Sequence, residues 1–469
     1  MNRDGNKFSL KASVFERYML LDDRPSHPMS SFLEVDFRGE ISREQLENAL
    51  PAALVRHPLL NSIVREDPHG ECRWEVASAP SRIQLLKQNE HPPRDLLLNL
   101  RESPGLRIWL RPGFQAEEQT VILLVHHATS DALGMLTFFM EWLVLATGQG
   151  SRLGLASVHE LGNRENFGDT PPAFPLQRRL RNITRYLFGK SPETLALPDP
   201  YPHDSPVSSS LGPESSYHVV RFSKEESQHL RMTARQQRAS LNDLLTAGLF
   251  LTVQDWNRHS RTFPSLQPWR IVVPVNRRSV SQRMLSACNL IGYKMLTRGP
   301  ELPVRFVELL HSIREEMEPV RRHPQGVYQF VRMLRFFDRF GLLHRTVQRY
   351  DCFATVILSN LGDLSRYFGN LLPEHHGLLT SGPVTITGIR CAPPRRQHSH
   401  ATIVAVTYGR ELQLISSRIS PGLDDVQTRT FLERFRMRLL QEMGKLNSEA
   451  IPTLESGVSP PEPSSVNPI

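Results

Sequence analysis

The sequence predicts a mixed α/β protein built as two layered lobes, on three observations. Segments with the alternating or continuous apolar pattern of strands are interspersed with helix-length amphipathic segments along most of the 469 residues. A proline-dense stretch divides the chain near its middle. An apolar fraction of 39% beside 22% charged residues is that of a packed globular chain, and the length suffices for two lobes that each bury a core. The expected division is a first lobe over residues 1–165, a crossover over 166–215, a second lobe over 216–446 and a disordered tail over 447–469.

The first lobe opens with an apolar helix around Ser13 to Leu20, followed by SFLEVDF (Ser31 to Phe37), whose alternation reads as a strand. Ser42 precedes REQLENALPAALVRH with Gln45 three residues on, a capping-box arrangement, and Pro58 marks the helix exit. NSIVRE, CRWEV and LRIWLR read as short strands, and Thr120 to Val125, TVILLV, is the strongest apolar run of the lobe. That run feeds directly into HHATSDALG. Leu133 to Thr147 is apolar almost all round, as in a helix buried on every side, and Gly148 stops it.

Prolines from Pro171 to Pro213 prevent long elements in the crossover. Within it, Leu176, Leu180, Ile183 and Leu187 of LQRRLRNITRYLFGK can share one helical face with arginines on the other. Such a helix packs on the body of the protein, or else makes peripheral contact with a membrane surface or docks a carrier.

The second lobe begins with strand YHVVRF and a helix. Ser240 then caps a further helix, LNDLLTAGLFLTVQDW, with Asp243 at its third position. Strand RIVVPV (Arg270 to Val275) leads into NRRS, and LIGYKML, FATVILS, VTITGIR, ATIVAVTY and ELQLISSR supply further strands of this lobe. Helix-length segments cover Pro303 to Arg321 and Val327 to Val347, and the last helix runs from about Asp424 to Gly444. In the second of these segments, Phe330, Met333, Phe337 and Phe340 or Leu343 recur near helical spacing, which favours a core-packing or lipid-facing helix over a base-stacking platform.

Composition narrows the function classes. The net charge of +8 would suit nucleic acid, a membrane surface or an acidic carrier, yet only seven of the 56 basic residues are lysine, a skew that genomic base composition can produce. No zinc-finger, homeodomain or RNA-recognition pattern accompanies the charge, so nucleic acid is not an expected partner. No run approaches 18 apolar residues, and the N-terminus shows no uninterrupted apolar segment before a cleavage site, so a cytoplasmic protein is expected. Cys72, Cys288, Cys352 and Cys391 lie far apart without a CxxC spacing and read as buried thiols rather than a zinc site or disulfide framework.

Chemistry concentrates in Val125-His126-His127-Ala128-Thr129-Ser130-Asp131-Ala132, between a buried strand and a buried helix. Composition alone produces HHxxxD far less than once in a chain with 18 histidines. Neutral imidazole takes a proton from a hydroxyl or amine near neutral pH. Successive strand residues point to opposite faces, so one of His126 and His127 addresses a substrate and the other is structural. The same divergence weakens a zinc site, whose ligands must converge. Asp131, at the start of the helix, can cap its amides, pair with an arginine, or do both. Elsewhere, His398 and His400 share a strand face without a third ligand in reach, and Arg390, Arg395 and Arg396 form either a phosphate-binding group or a solvated basic loop.

With these residues on the page, HHATSDA resembles the HHxxxDG signature of the condensation-domain and chloramphenicol acetyltransferase-like superfamily. That superfamily includes peptide-synthetase condensation domains, wax ester synthases and polyketide-associated acyltransferases. RHPLLNSIVRE (Arg56 to Glu66), ASLNDLLTAGL (Ala239 to Leu249), VPVNRRS (Val273 to Ser279), NLIGY (Asn289 to Tyr293) and LSNLGDL (Leu358 to Leu364) look like further landmarks in matching order, over roughly Ser13 to Gly444. The resemblance implies two acetyltransferase-like lobes in a V with a central tunnel. It implies a standalone acyltransferase whose donor is a thioester on coenzyme A or a carrier protein, whose acceptor is a small-molecule alcohol or amine, and which needs no metal or other cofactor. In that scheme His127 is the general base, His126 supports the loop, Asp131 is held by an ion pair with Arg278, and Ala132, Asn276, Ser359 and Asn360 border the tunnel. One departure stands out: the family's glycine after the aspartate is Ala132, which forbids positive φ and adds a methyl group. The alternative it raises is a catalytically inactive relative that binds an acyl carrier or partner.

Overall fold

A computed structural model describes residues 8–68, 71–93, 97–115, 117–165, 217–258, 268–299, 301–303, 305–322, 327, 329–348, 354–396, 399–418 and 423–449. The first lobe runs β1 (Ser9–Lys11), α1 (Val14–Asp22), β2 (Ser30–Arg38), α2 (Arg43–Arg56), β3 (Ser62–Glu66), β4 (Cys72–Val76), β5 (Ile83–Leu85), β6 (Leu106–Pro112), β7 (Glu118–His126) and α3 (Ala132–Ala146). The second begins with β8 (Tyr217–Arg221), α4 (Lys224–Gln236), α5 (Leu241–Arg258), β9 (Trp269–Asn276) and β10 (Ile291–Arg298). It continues with α6 (Phe306–Arg322), α7 (Gln329–Arg339), α8 (Leu343–Gln348), β11 (Ala354–Asp363) and α9 (Leu364–Phe368). Then come β12 (Glu374–His375), β13 (Leu378–Ser381), β14 (Val384–Ala392), β15 (Ser399–Tyr408), β16 (Glu411–Ser417) and α10 (Asp425–Glu449).

Local chemistry sets the helix starts. Ser13 and Glu16 form a reciprocal capping box on α1, Ser42 and Gln45 on α2, and Ser223 and Glu226 on α4. Ser240 and Asp243 exchange the same pair of bonds at α5. The expected helix over Val327 to Val347 divides into α7 and α8, because the chain turns at Gly341 with φ of +66°, which a side chain would strain. Phe330, Val331, Leu334 and Phe337 of α7 are buried, the core-packing outcome. The last helix exceeds its expected end by five residues, to Glu449.

A seven-stranded sheet of order β12-β13-β14-β2-β7-β6-β5 forms one lobe, and a six-stranded sheet of order β10-β9-β11-β15-β16-β8 forms the other. The small sheet β1-β4-β3 stands apart. β7 is an interior strand, paired to β2 on one side and β6 on the other, and its TVILLV run is buried on both faces, as uninterrupted apolar strands require. VTITGIR corrects the sequence assignment. As β14 it leaves the second lobe and pairs antiparallel with β2, with Arg390 opposite Glu34 and Ile389 opposite Val35. Strand periodicity fixes that a segment is a strand but not which sheet edge receives it.

Three apolar clusters follow this layout. One lies around the seven-stranded sheet with α2 and α3, and one around the six-stranded sheet with α5, α6 and α10. A third joins α1, α7, Leu290 and Tyr293 between the lobes. Cys288 and Cys391 are buried and Cys72 half-buried, all as free thiols; Cys352 lies outside the described residues. The expected helix at 176–190, His398 and the tail beyond residue 449 also lie outside them. Among the described residues no helix is long and apolar enough to cross a membrane, and no group of three or more His, Cys, Asp or Glu side chains could hold a metal ion.

Candidate active site

The motif loop leaves β7 at His126, and Asp131 begins α3. His127 donates its backbone N–H to Met29 O at 2.6 Å, and Thr129 donates N–H and hydroxyl to His126 O at 2.9 and 2.8 Å. The loop is therefore fixed before any side chain acts.

The two histidines part company. His126 is 1% exposed, and its Nδ1 accepts the Ala128 N–H at 3.1 Å. The ring proton is thereby on Nε2, which faces Asp23 Oδ2 at 3.4 Å. Asp23 in turn accepts the Met29 N–H through Oδ1 at 2.8 Å. His126 is thus a strut between β7 and the end of α1.

His127 is only partly covered. Its Nδ1 lies 2.9 Å from Ser130 O. A carbonyl can only accept, so Nδ1 carries the proton and the Nε2 lone pair is left for other chemistry. Burial pushes its pKa down to about 4, against the opposing pull of the Ser130 carbonyl, and the Arg396 charge adds to the depression. The ring is neutral through the physiological range.

Asp131 has no acceptor capacity to spare. Oδ1 accepts the Gly134 N–H at 2.9 Å and Arg278 Nη2 at 3.0 Å, while Oδ2 accepts Arg278 Nη1 at 2.7 Å and the Leu290 N–H at 2.9 Å. Capping and ion pairing coexist, and the carboxylate is turned into protein. The pair is nearly sealed, with side-chain exposures of 1% and 4%. Burial alone would lower the Arg278 pKa, but Asp131 outweighs it and holds the guanidinium firmly charged. Removing either partner would strand a buried charge, at about 3 to 5 kcal/mol.

Arg278 is itself aimed by Asn276, whose Oδ1 accepts the Arg278 backbone N–H at 3.0 Å and Nη1 at 3.3 Å. Asn276, expected at a tunnel wall, thus acts as a support for the ion pair. Ser359 and Asn360 are partly exposed on β11, where Asn360 Oδ1 accepts the Gly362 N–H at 2.9 Å in a local turn. Ala132 is the first residue of α3 and does not have positive φ. The backbone at this position therefore needs no glycine. The glycine with crowded surroundings lies two residues on. A Cβ at Gly134 would fall 2.2 Å from Ser130 Oγ and 3.2 Å from both Ala287 Cα and Cys288 N.

Those last contacts identify residues whose roles sequence reasoning did not assign, although Asn289 and Leu290 fall in the NLIGY landmark. Residues 286–290, from the second lobe, stitch across the motif loop. Asn289 Nδ2 donates to His127 O at 2.5 Å and Ala128 O at 3.1 Å, and Ala287 N–H donates to His57 Nδ1 at 2.9 Å. His57 Nε2 then reaches Glu141 Oε2 at 3.1 Å, a carboxylate also bound by Arg56. Burial would raise the Glu141 pKa, but the bonds from His57 and Arg56 hold it below the usual carboxylate range. RHPLL marks His57 in sequence, but its partner is 84 residues away on α3, beyond any local pattern. Cys288 offers no nucleophile, because burial pushes its thiol up to about 12.

Of the three clustered arginines, two are committed. Arg390 binds Asp36 at 2.5 and 2.8 Å, Glu34 at 3.1 Å and Tyr217 at 3.1 Å. Arg396 binds Asp22 at 2.8 Å, Tyr293 at 3.0 Å and the Tyr18 hydroxyl.

No family model matches the chain. Two uncharacterized proteins from Mycobacterium tuberculosis strains are 21% identical over 291 residues, 61% of this chain. The chain spans 66% of the length of these curated relatives, just under two-thirds. Solved structures share the whole architecture. The trichothecene 15-O-acetyltransferase TRI3 of Fusarium sporotrichioides superposes with a TM-score of 0.66 at 12% identity, covering 94% of this chain and 96% of its own. The first condensation domain of the CDA synthetase gives 0.63 at 13% identity, over 94% and 97%. Polyketide synthase associated protein 5 of Mycobacterium tuberculosis gives 0.56 at 16%, over 93% and 98%. The chain therefore has the fold of condensation domains and chloramphenicol acetyltransferase-like acyltransferases, with its two lobes.

Proposed function

We propose that this chain, built on the fold that condensation domains share with acetyltransferases, moves an acyl group from a thioester to a hydroxyl or amine acceptor with His127 as general base. One observation carries the reading. His127 is partly exposed and neutral, with its proton on the Nδ1 held by Ser130 O, so Nε2 is the basic atom. The acceptor gives its proton to Nε2 as its oxygen or nitrogen attacks the thioester carbonyl. The tetrahedral intermediate then expels the thiolate, which recovers that proton from Nε2. Asp131, Arg278, Asn276 and His126 position the loop without touching substrate.

The donor is coenzyme A or a phosphopantetheinyl carrier protein. The names of proteins with this fold are in keeping with it: one is an O-acetyltransferase, others are parts of peptide synthetases, and one is polyketide synthase associated. The backbone argument for an inactive relative falls away, because Ala132 sits at the first turn of a helix with an ordinary φ.

Thiol release from acyl-coenzyme A donors, acetyl to palmitoyl, with mixed alcohol and amine acceptors, tests the proposal. Acceptor-dependent release should fall about 10² to 10⁴-fold in His127→Ala, the usual contribution of a general base. Equal rates in both proteins on every donor, carrier-loaded ones included, would refute it.

A further inference from the structure

Residues 286–290 of the second lobe hold the motif loop, and the first lobe in turn holds them. Toward the motif, Asn289 donates to the carbonyls of His127 and Ala128, Leu290 N–H donates to Asp131 Oδ2, and Cys288 O accepts Arg278 Nη2 at 3.0 Å. One of the carbonyls that Asn289 grips is that of His127 itself, so the place of this segment sets the place of the proposed base. Away from the motif, two first-lobe side chains accept the N–H groups that open the segment. Ser157 Oγ takes Ser286 N–H at 3.0 Å, and His57 Nδ1 takes Ala287 N–H at 2.9 Å.

His57 makes its contact in only one protonation form. A backbone N–H can only donate, so Nδ1 is bare and the ring proton is on Nε2, aimed at Glu141 Oε2 at 3.1 Å. Glu141 is buried and kept ionised by His57 and Arg56, so it can only accept, and it fixes that tautomer. The other tautomer would set a proton on Nδ1 against the Ala287 N–H and turn a lone pair toward the carboxylate. The ring is 1% exposed and stands edge-on to Phe138 of α3 with centroids 5.5 Å apart, so packing holds its plane as well. Directed hydrogen bonds thus run from Arg56 through Glu141 and His57 to Ala287, and from Asn289 to His127. An apolar side chain could fill the same space, but it would leave the Ala287 N–H without its acceptor in the interior.

We infer that His57 is a positioning residue for acyl transfer: by accepting the Ala287 N–H it fixes the segment that grips the His127 carbonyl, and so sets where His127 Nε2 stands. It touches no substrate. The inference rests on the acyl-transfer reading for the reaction, though not for the link between His57 and the motif loop.

Two variants separate this role from packing. In His57→Asn the amide oxygen falls where Nδ1 stood and can take the Ala287 N–H; in His57→Gln the amide nitrogen falls where Nε2 stood and serves Glu141 instead. Both lose the ring against Phe138, so urea denaturation should show similar stability losses. Acceptor-dependent kcat/KM for thiol release should fall about ten- to a hundredfold in His57→Gln, through kcat rather than KM, and stay within about threefold of wild type in His57→Asn. Equal losses in the two variants would assign His57 to packing and overturn the inference, as would wild-type rates in both.

Ring resonances of His127, identified through His127→Ala and titrated in the labelled full chain, give a readout independent of turnover. Loosening the loop admits water, so the His127 midpoint should rise from about 4 toward that of an ordinary histidine in His57→Gln but not in His57→Asn. His126, Asp131 and Arg396, the ionisable side chains that act on His127, are the same in both variants. A midpoint that moves in neither variant, or equally in both, would overturn the inference. Ring-nitrogen shifts in the unmodified protein need no variant to fold: at pH 7 they should place the His57 proton on Nε2 alone, and a proton on Nδ1 would overturn the inference. If the wild type releases no thiol from any donor, the acyl-transfer reading fails, while the His127 titration still decides whether His57 governs the motif loop.

Discussion

His127 illustrates how a single side chain acquires its chemistry from neighbours. Residue type supplies an imidazole; the Ser130 carbonyl selects the tautomer, and burial sets the charge. Because burial depresses the pKa to about 4, the basic form persists as pH falls through 6.5, where an ordinary histidine would become protonated. The acid limb of kcat/KM should therefore fall near pH 4 rather than near 6.5, measured with a donor whose own groups do not titrate there. A limb at 6.5 would show that the ring is solvated like a surface histidine. Asp131 makes the complementary point, since four donors from three separate segments saturate its two oxygens.

At the scale of elements, the motif depends on the close approach of α3 to a segment of the other lobe. Gly134 contributes the N–H that Asp131 caps, and a Cβ there would meet Ser130 Oγ at 2.2 Å and press on Ala287 Cα and Cys288 N at 3.2 Å. Gly134→Ala should destabilise the protein by about 1 to 3 kcal/mol in urea denaturation despite alanine's better helix propensity, because the added methyl overpacks the contact. A neutral or stabilising result would mean that the segment yields easily. Helix and strand signals were otherwise plain in the sequence: the Ser42 capping box starts α2, and TVILLV lies in the interior strand β7. The division of α7 from α8 was less plain, since a single glycine at Gly341 interrupts an otherwise continuous amphipathic pattern.

For the whole molecule, the exchange of β14 into the first lobe's sheet ties the two lobes by a strand. Arg390 on β14 bridges to Asp36 and Glu34 on β2, and although burial opposes it, this pairing holds the Asp36 carboxyl below its ordinary value. Arg390→Met should cost about 2 to 3 kcal/mol at pH 7, less than a fully buried pair because the Asp36 side chain is 32% exposed. A depressed carboxylate pKa stabilises above the unfolded value and loses that contribution as pH falls, so the gap between wild type and variant should narrow below about pH 3.8. A gap independent of pH would assign the loss to packing instead. The strand exchange also predicts that both lobes melt together in the wild type.

The sequence by itself determined what local physics encodes: the order of helices and strands, the capped helix starts, the buried strand running into His126 and His127, and the aspartate opening α3. Tertiary structure decided the rest. Which sheet β14 joins, that Asn276 stands behind the Arg278–Asp131 pair that the family resemblance implied, and that His57 meets Glu141 and Ala287 all depend on how separate segments pack. Periodicity and spacing report a residue's face within its own element. Partnership across the chain is set by how those faces pack, which a one-dimensional pattern does not contain.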